Sequence, residues 1–143
     1  MNTIWKPLVG LVAATALMAA CGSSKSAAPG NSVTASEKEW NISADHNIVK
    51  AGDVNFSVSN NGTINHELLV IKSDLPLGAF PMRSDNKFNE DDPTSKNVGE
   101  SGEYEVGKTK TFTAKLDPGH YQLVCNIPGH YVKGMHIAFT VVA

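Results

Sequence analysis

From about residue 50 onward, apolar and polar residues alternate one by one, and that two-residue period restricts the chain to strands with one buried face. Val54, Phe56 and Val58 alternate with Asn55, Ser57 and Ser59. Phe112, Ala114 and Leu116 alternate with Thr111, Thr113 and Lys115. Tyr121, Leu123 and Cys125 share one face of the next strand, and Met135, Ile137, Phe139 and Val141 share one face of the last. The run Leu68, Leu69, Val70 and Ile71 is apolar throughout, as expected of a central strand covered on both sides. Turn signals separate these stretches, at Asn60-Asn61-Gly62 and at Asp117-Pro118-Gly119. Short strands, turns between them and no amphipathic helix predict an all-β fold, an antiparallel β-sandwich.

Residues 75–105 break the pattern. They hold Pro76, Pro81 and Pro93 and the acids Asp85, Glu90, Asp91, Asp92, Glu100, Glu103 and Glu105. A loop of that length is functional or mobile as a rule, and whether it contains a short helix stays open at this level. The charge run reads first as a solvated surface; the alternative is an acidic face that steers a cationic partner. A formal net charge of −2 gives no reason to expect nucleic acid as a partner, which would need a basic stripe.

The N-terminal residues read as targeting rather than fold. A short basic head precedes the apolar run 7–18, which is too short for the about 20 apolar residues of a membrane-spanning helix. Small residues follow, so residues 1–20 are expected to be a signal peptide. Leu17-Met18-Ala19-Ala20-Cys21 resembles a bacterial lipobox, although Met18 stands where Leu, Val or Ile is usual. Cys21 is thereby the expected lipidation site, with several acyl chains giving a firm membrane anchor. The alternative is a plain secretory signal with a chance cysteine. Residues 21–36, rich in Ser, Ala and Gly, read as a flexible tether. The folded domain is then expected over residues 37–143.

That domain contains one cysteine, Cys125. A single thiol in an exported domain points to a ligand or a reactive group; the competing reading, a disulfide with Cys21, conflicts with the lipobox. Cys125 is followed by His130 and Met135, with Pro128-Gly129 turning the chain between them. Cysteine and methionine at the ends of adjoining strands, with histidine in the connection, let one loop wrap three ligands around one ion. A fourth ligand must come from elsewhere, and His66, opening the buried run, is the candidate. Two imidazoles, a thiolate and a weak axial thioether are the donor set of a blue-copper electron-transfer site. His136, on the opposite face from Met135, is expected at the surface. His46, His120, Met82 and Trp40 lack ligand-spaced neighbours and read as ordinary structural residues.

The segment from Cys125 to Met135 resembles the C-terminal copper loop of the cupredoxins, the plastocyanin- and azurin-like proteins, with the Cys-x4-His-x4-Met spacing of auracyanin and rusticyanin. Gly52 to Glu67 is similar to that family's strand, turn and first-histidine region. Glu67 departs from it, because several relatives carry Asn after the first histidine. The resemblance implies a Greek-key sandwich and one copper cycling between Cu(I) and Cu(II) in a rigid ligand set. It also implies a monomeric electron carrier, serving redox partners such as cytochromes from the periplasmic or outer side of the cell envelope. His130 would be the ligand nearest solvent, with Ile127, Pro128, Tyr131 and Val132 either an apolar collar suited to brief docking or routine loop packing.

Enzymatic rivals lack their parts. Val124 and Asn126 flank Cys125 where copper oxidases need histidines, and Gly129 stands where a binuclear centre needs a second cysteine. A copper carrier could use the same four ligands. Ligands drawn from strands and a tight loop favour a fixed redox site over one built for exchange.

Overall fold

A computed structural model describes residues 31–143. Nine strands follow one another: β1 (Ser32–Lys38), β2 (Asn41–Ala44), β3 (Ile48–Lys50), β4 (Gly52–Asn60), β5 (Leu69–Lys72), β6 (Lys96–Glu100), β7 (Thr109–Leu116), β8 (Gly119–Val124) and β9 (His136–Val142). One sheet has the order β2-β1-β4-β7 and the other β3-β9-β8-β5-β6. The sandwich expected from the alternation is there, but its sheets are mixed. β1 runs parallel to β4 and β3 parallel to β9, while the remaining pairs are antiparallel.

The alternating residues meet between the sheets. Val54, Phe56 and Val58 of β4 face Leu123 of β8 and Phe139 and Val141 of β9 in one apolar layer. Phe56 stacks on Phe112 with ring centroids 5.0 Å apart and leans on Phe139 at 5.9 Å. Each such ring removes apolar surface from water, about 25 cal/mol per Å².

β1 corrects the expected boundary. It starts at Ser32, inside the stretch assigned to the tether, so the fold takes in residues 32–36. Val33, Ala35 and Glu37 point inward while Ser32, Thr34 and Lys38 point out. Two small apolar side chains give too weak a pattern to stand out in sequence, and the strand depends on its ladder with β4. The signal-peptide and lipidation readings, at residues 1–20 and Cys21, lie outside the described residues. Among the described residues no helix is long and apolar enough to cross a membrane.

The acidic stretch has an internal logic. β6 lies within it and pairs with β5 at the sheet edge. Before β6, Phe80 and Phe88 fold onto the outer face of β5 and β8, forming a second apolar cluster with Leu69, Ile71, Val124 and Tyr131. This explains a strand apolar on both faces: Leu68 and Val70 belong to the layer between the sheets, Leu69 and Ile71 to the layer beneath the loop.

Candidate metal centre

The end of β8 and the start of β9 are joined by a loop held from within. The Cys125 N–H donates to the Met135 carbonyl at 3.0 Å, the Met135 N–H to the His130 carbonyl at 3.2 Å, and the His130 N–H to the Ile127 carbonyl at 2.9 Å. A single 3-10 turn, Tyr131–Lys133, follows His130, and Gly134 closes it with φ of 104°. That left-handed backbone favours glycine, and it reverses the chain so that Met135 enters the core. On the other side, His66 is fixed by a two-way backbone bridge to Tyr104, at 3.2 and 2.8 Å.

These constraints bring His66, Cys125 and His130 together, with their ligand atoms within 4.8 Å of one another. Cys125 Sγ lies 3.3 Å from His130 Nδ1 and 3.9 Å from His66 Nδ1. Metal bonds of about 2.0–2.3 Å meeting at trigonal angles place donor atoms roughly 3.5–4 Å apart, so the three residues fit one ion with little movement. Met135 is fully buried in the same core cluster as Cys125. His130 retains 5% exposure while His66, Cys125 and Met135 have none, so His130 is the outward member of the four.

The electrostatics suit a bound cation. Burial, reinforced by the nearby Glu37 carboxyl, pushes the Cys125 thiol up to about 12, against N–H groups of Glu67 and Ile127 aimed at the sulfur. A coordinating metal overrides such a shift, because it takes the thiol as thiolate, and those two N–H groups are then ready acceptor-seeking dipoles. Burial also lowers His66 and His130, leaving neutral imidazoles, the form that ligates. Cys125 carries no disulfide among the described residues.

Sequence reasoning missed the surroundings. The turn between β1 and β2 carries Glu39 and Trp40 to the site. Glu39 accepts from the N–H groups of Thr63 at 2.7 Å and Ile64 at 3.0 Å, which hold its carboxyl low, at about 2. Trp40, read as an ordinary residue, stands edge-on to His130 with centroids 5.0 Å apart, and the Lys133 ammonium lies 3.7 Å over its ring. No sequence spacing signals either contact, because the turn reaches the site only through sheet pairing. Tyr131 is not part of an exposed collar. Its ring turns inward, stacked on Phe80 at 5.5 Å, and its hydroxyl accepts from the Phe80 N–H at 3.1 Å. Of the expected collar, Val132 and Pro128 are exposed and Ile127 is half-buried, and Trp40 and Ile64 are further exposed apolar residues of this region.

His136 also differs from the expected surface position. It is half-buried against Tyr131, centroids 4.9 Å apart, because the loop covers the outer face of its sheet. Asn126, beside Cys125, anchors that loop: its Oδ1 accepts from the Phe88 N–H at 2.8 Å and its amide donates to Glu90 at 2.7 Å. The Glu67 side chain is half-buried and its Oε1 lacks a partner, while its N–H serves the sulfur. His120 pairs with Asp74 at 3.1 Å and His46 with Asp45 at 3.0 Å, both at exposed positions. Met82 is exposed and bridges to Phe88.

A mixed two-sheet sandwich with a buried Cys-His-His cluster at the end of its strands is the architecture of a cupredoxin. Solved structures agree in fold. Dithionite-reduced auracyanin from Roseiflexus castenholzii superposes with a TM-score of 0.62 at 21% identity, over 80% of this chain and 98% of that one. Rusticyanin from Thiobacillus ferrooxidans gives 0.58 at 23% identity, over 78% and 76%. An azurin from Methylomonas sp. strain J gives 0.57 at 16%, over 78% and 98%. No curated protein matches the chain in sequence. The sulfocyanin (SoxE) domain matches residues 22–143, and the chain belongs to that family of cupredoxins. Cupredoxins bind one copper ion, carry electrons to and from redox partners rather than act as enzymes, and are typically extracytoplasmic.

Proposed function

We propose that His66, Cys125, His130 and Met135 hold one copper ion, and that the chain carries single electrons at the outer face of a membrane to which a lipid on Cys21 attaches it. The observation that carries the reading is the convergence of a buried thiol and two buried imidazole nitrogens within 4.8 Å. Copper bound there supplies a one-electron couple. The residues do the rest. The strands and the β8–β9 loop fix the donor atoms, so a change of one charge calls for little movement of the protein. The N–H groups of Glu67 and Ile127 stabilise a thiolate. His130, with Trp40 against its ring, is the edge through which an electron would leave.

The partners are redox proteins such as cytochromes, meeting a monomer briefly at the apolar rim of Trp40, Ile64 and Val132 around His130. Residues 1–20 would act as the export signal and be removed.

The test is the visible spectrum of the Cu(II)-loaded protein beside Cys125→Ser. The expected result is an intense thiolate-to-copper charge-transfer band, bleached by reductant, restored by oxidant and absent from the variant. Copper bound with only weak absorption would replace electron transfer by metal carriage. No copper binding would overturn the ligand assignment.

A further inference from the structure

The His66 ring has a second nitrogen, and its surroundings are specific. Nε2 points away from Cys125, is fully buried and has no hydrogen-bond partner. Its neighbour is the Glu39 carboxylate, with Oε1 3.6 Å away. That separation is beyond a hydrogen bond but within an ion-pair contact. The carboxylate is held in place by the N–H groups of Thr63 and Ile64 and by the Thr63 hydroxyl at 3.3 Å. Gly62 makes the meeting possible. A Cβ there would lie 2.6 Å and 2.9 Å from the two Glu39 oxygens and 2.9 Å from His66 Nε2, distances that packed atoms do not tolerate.

We infer that Glu39 is a positioning residue for the metal centre: its carboxylate keeps the proton of His66 on Nε2, leaves Nδ1 bare toward Cys125, and lowers the reduction potential of the bound copper. The inference rests on the copper reading above and extends it to a residue in the β1–β2 turn.

The physical argument has two parts. A neutral imidazole carries one proton, and a negative oxygen beside Nε2 attracts the N–H dipole there, which decides the tautomer. An imidazole backed by a carboxylate is also a more basic ligand. Added electron donation and a nearby negative charge both favour Cu(II) over Cu(I), which lowers the potential. Among the described residues no other carboxylate pairs with His66; the buried Glu37 and the half-buried Glu67 act on Cys125 instead.

Two variants test this. Glu39→Gln keeps an oxygen to accept from Thr63 and Ile64, so the turn stays held while the charge is lost. Gly62→Ala keeps the charge but drives a methyl group between carboxylate and ring. Two readouts are taken: the midpoint potential of the copper-loaded proteins, and the His66 tautomer by 15N chemical shifts in the metal-free proteins. Expected is an Nε2-protonated His66 in the wild type, mixed tautomers in both variants, and a potential raised in both. Losing such a partner costs about tenfold or more in metal affinity; a tenfold loss falling on Cu(II) alone shifts the potential by about 59 mV for one electron. Unchanged tautomer and potential in both variants, or a wild-type His66 protonated on Nδ1, would overturn the inference. A wild type without the charge-transfer band would overturn the copper reading alone, because the tautomer measurement still decides what Glu39 does.

Discussion

Glu37 has no exposed surface, and its carboxyl sits in the core between the sheets with the Tyr104 hydroxyl donating to Oε2 and nothing bonded to Oε1. Burial pushes its pKa from 4.5 up to about 8, against the pull of the Tyr104 hydrogen bond. Folding therefore favours the protonated acid. The contribution is fully present below the unfolded value and is lost as pH rises through the folded one. Over that interval the unfolded chain gives up a proton that the folded chain keeps, so stability falls with rising pH. At about 1.36 kcal/mol per unit, the loss between pH 5 and pH 7 comes to roughly 2–3 kcal/mol. Glu37→Gln removes the titration and retains an acceptor for Tyr104. Urea unfolding of both copper-loaded proteins across this range gives the difference directly, since the protonation of the metal ligands is common to both. The variant is expected to gain on the wild type by that amount from pH 5 to pH 7. Two curves that stay parallel would refute the reasoning and mean that Glu37 ionises in the fold as readily as in water.

Phe88→Ala removes a ring packed on Phe80 and Tyr131 at 5.0 and 5.5 Å. A loss of about 3–5 kcal/mol is expected by chemical denaturation, with the charge-transfer band kept at low temperature because the ring belongs to the layer beneath the loop and Cys125 and Met135 to the layer between the sheets. Cys21→Ser in the full chain is expected to move the protein from the membrane fraction to the soluble fraction of cells; unchanged membrane association would refute the lipid anchor.

The parts of the fold legible in sequence are those where apolar residues recur at every second position along a strand. β4, β7, β8 and β9 announce themselves this way, although the outer face of β8 lies under the loop rather than in water, and the Cys125, His130 and Met135 spacing stands out because β8 and β9 are neighbours in sequence as well as in space. β1 was not legible, since Val33 and Ala35 bury little area and Glu37 is an ionisable residue on an inward face. Such a residue reads as surface unless its partner, Tyr104, is known, and that partner lies far along the chain. The parallel pairings of β1 and β3 were hidden for the same reason: they join segments that no hairpin turn connects. Glu39 and Trp40 belong to a turn with no ligand-like pattern. Their contact with His66 and His130 is a product of how β1 lies against β4. The acidic stretch concealed Phe80 and Phe88, two rings among many charges, because the charges dominate composition while the rings decide where the loop sits.

The direction of β1 has a consequence for how the molecule presents itself. Its last residue, Lys38, leads straight into the turn that touches His66 and His130, so its first residue, Ser32, marks the other end of the sandwich. The seven-residue strand between them spans about 20 Å at strand spacing. The lipid proposed at Cys21 would therefore join the domain through Ser32, at the end away from His66 and His130. So attached, the chain would present its His130 edge away from the membrane.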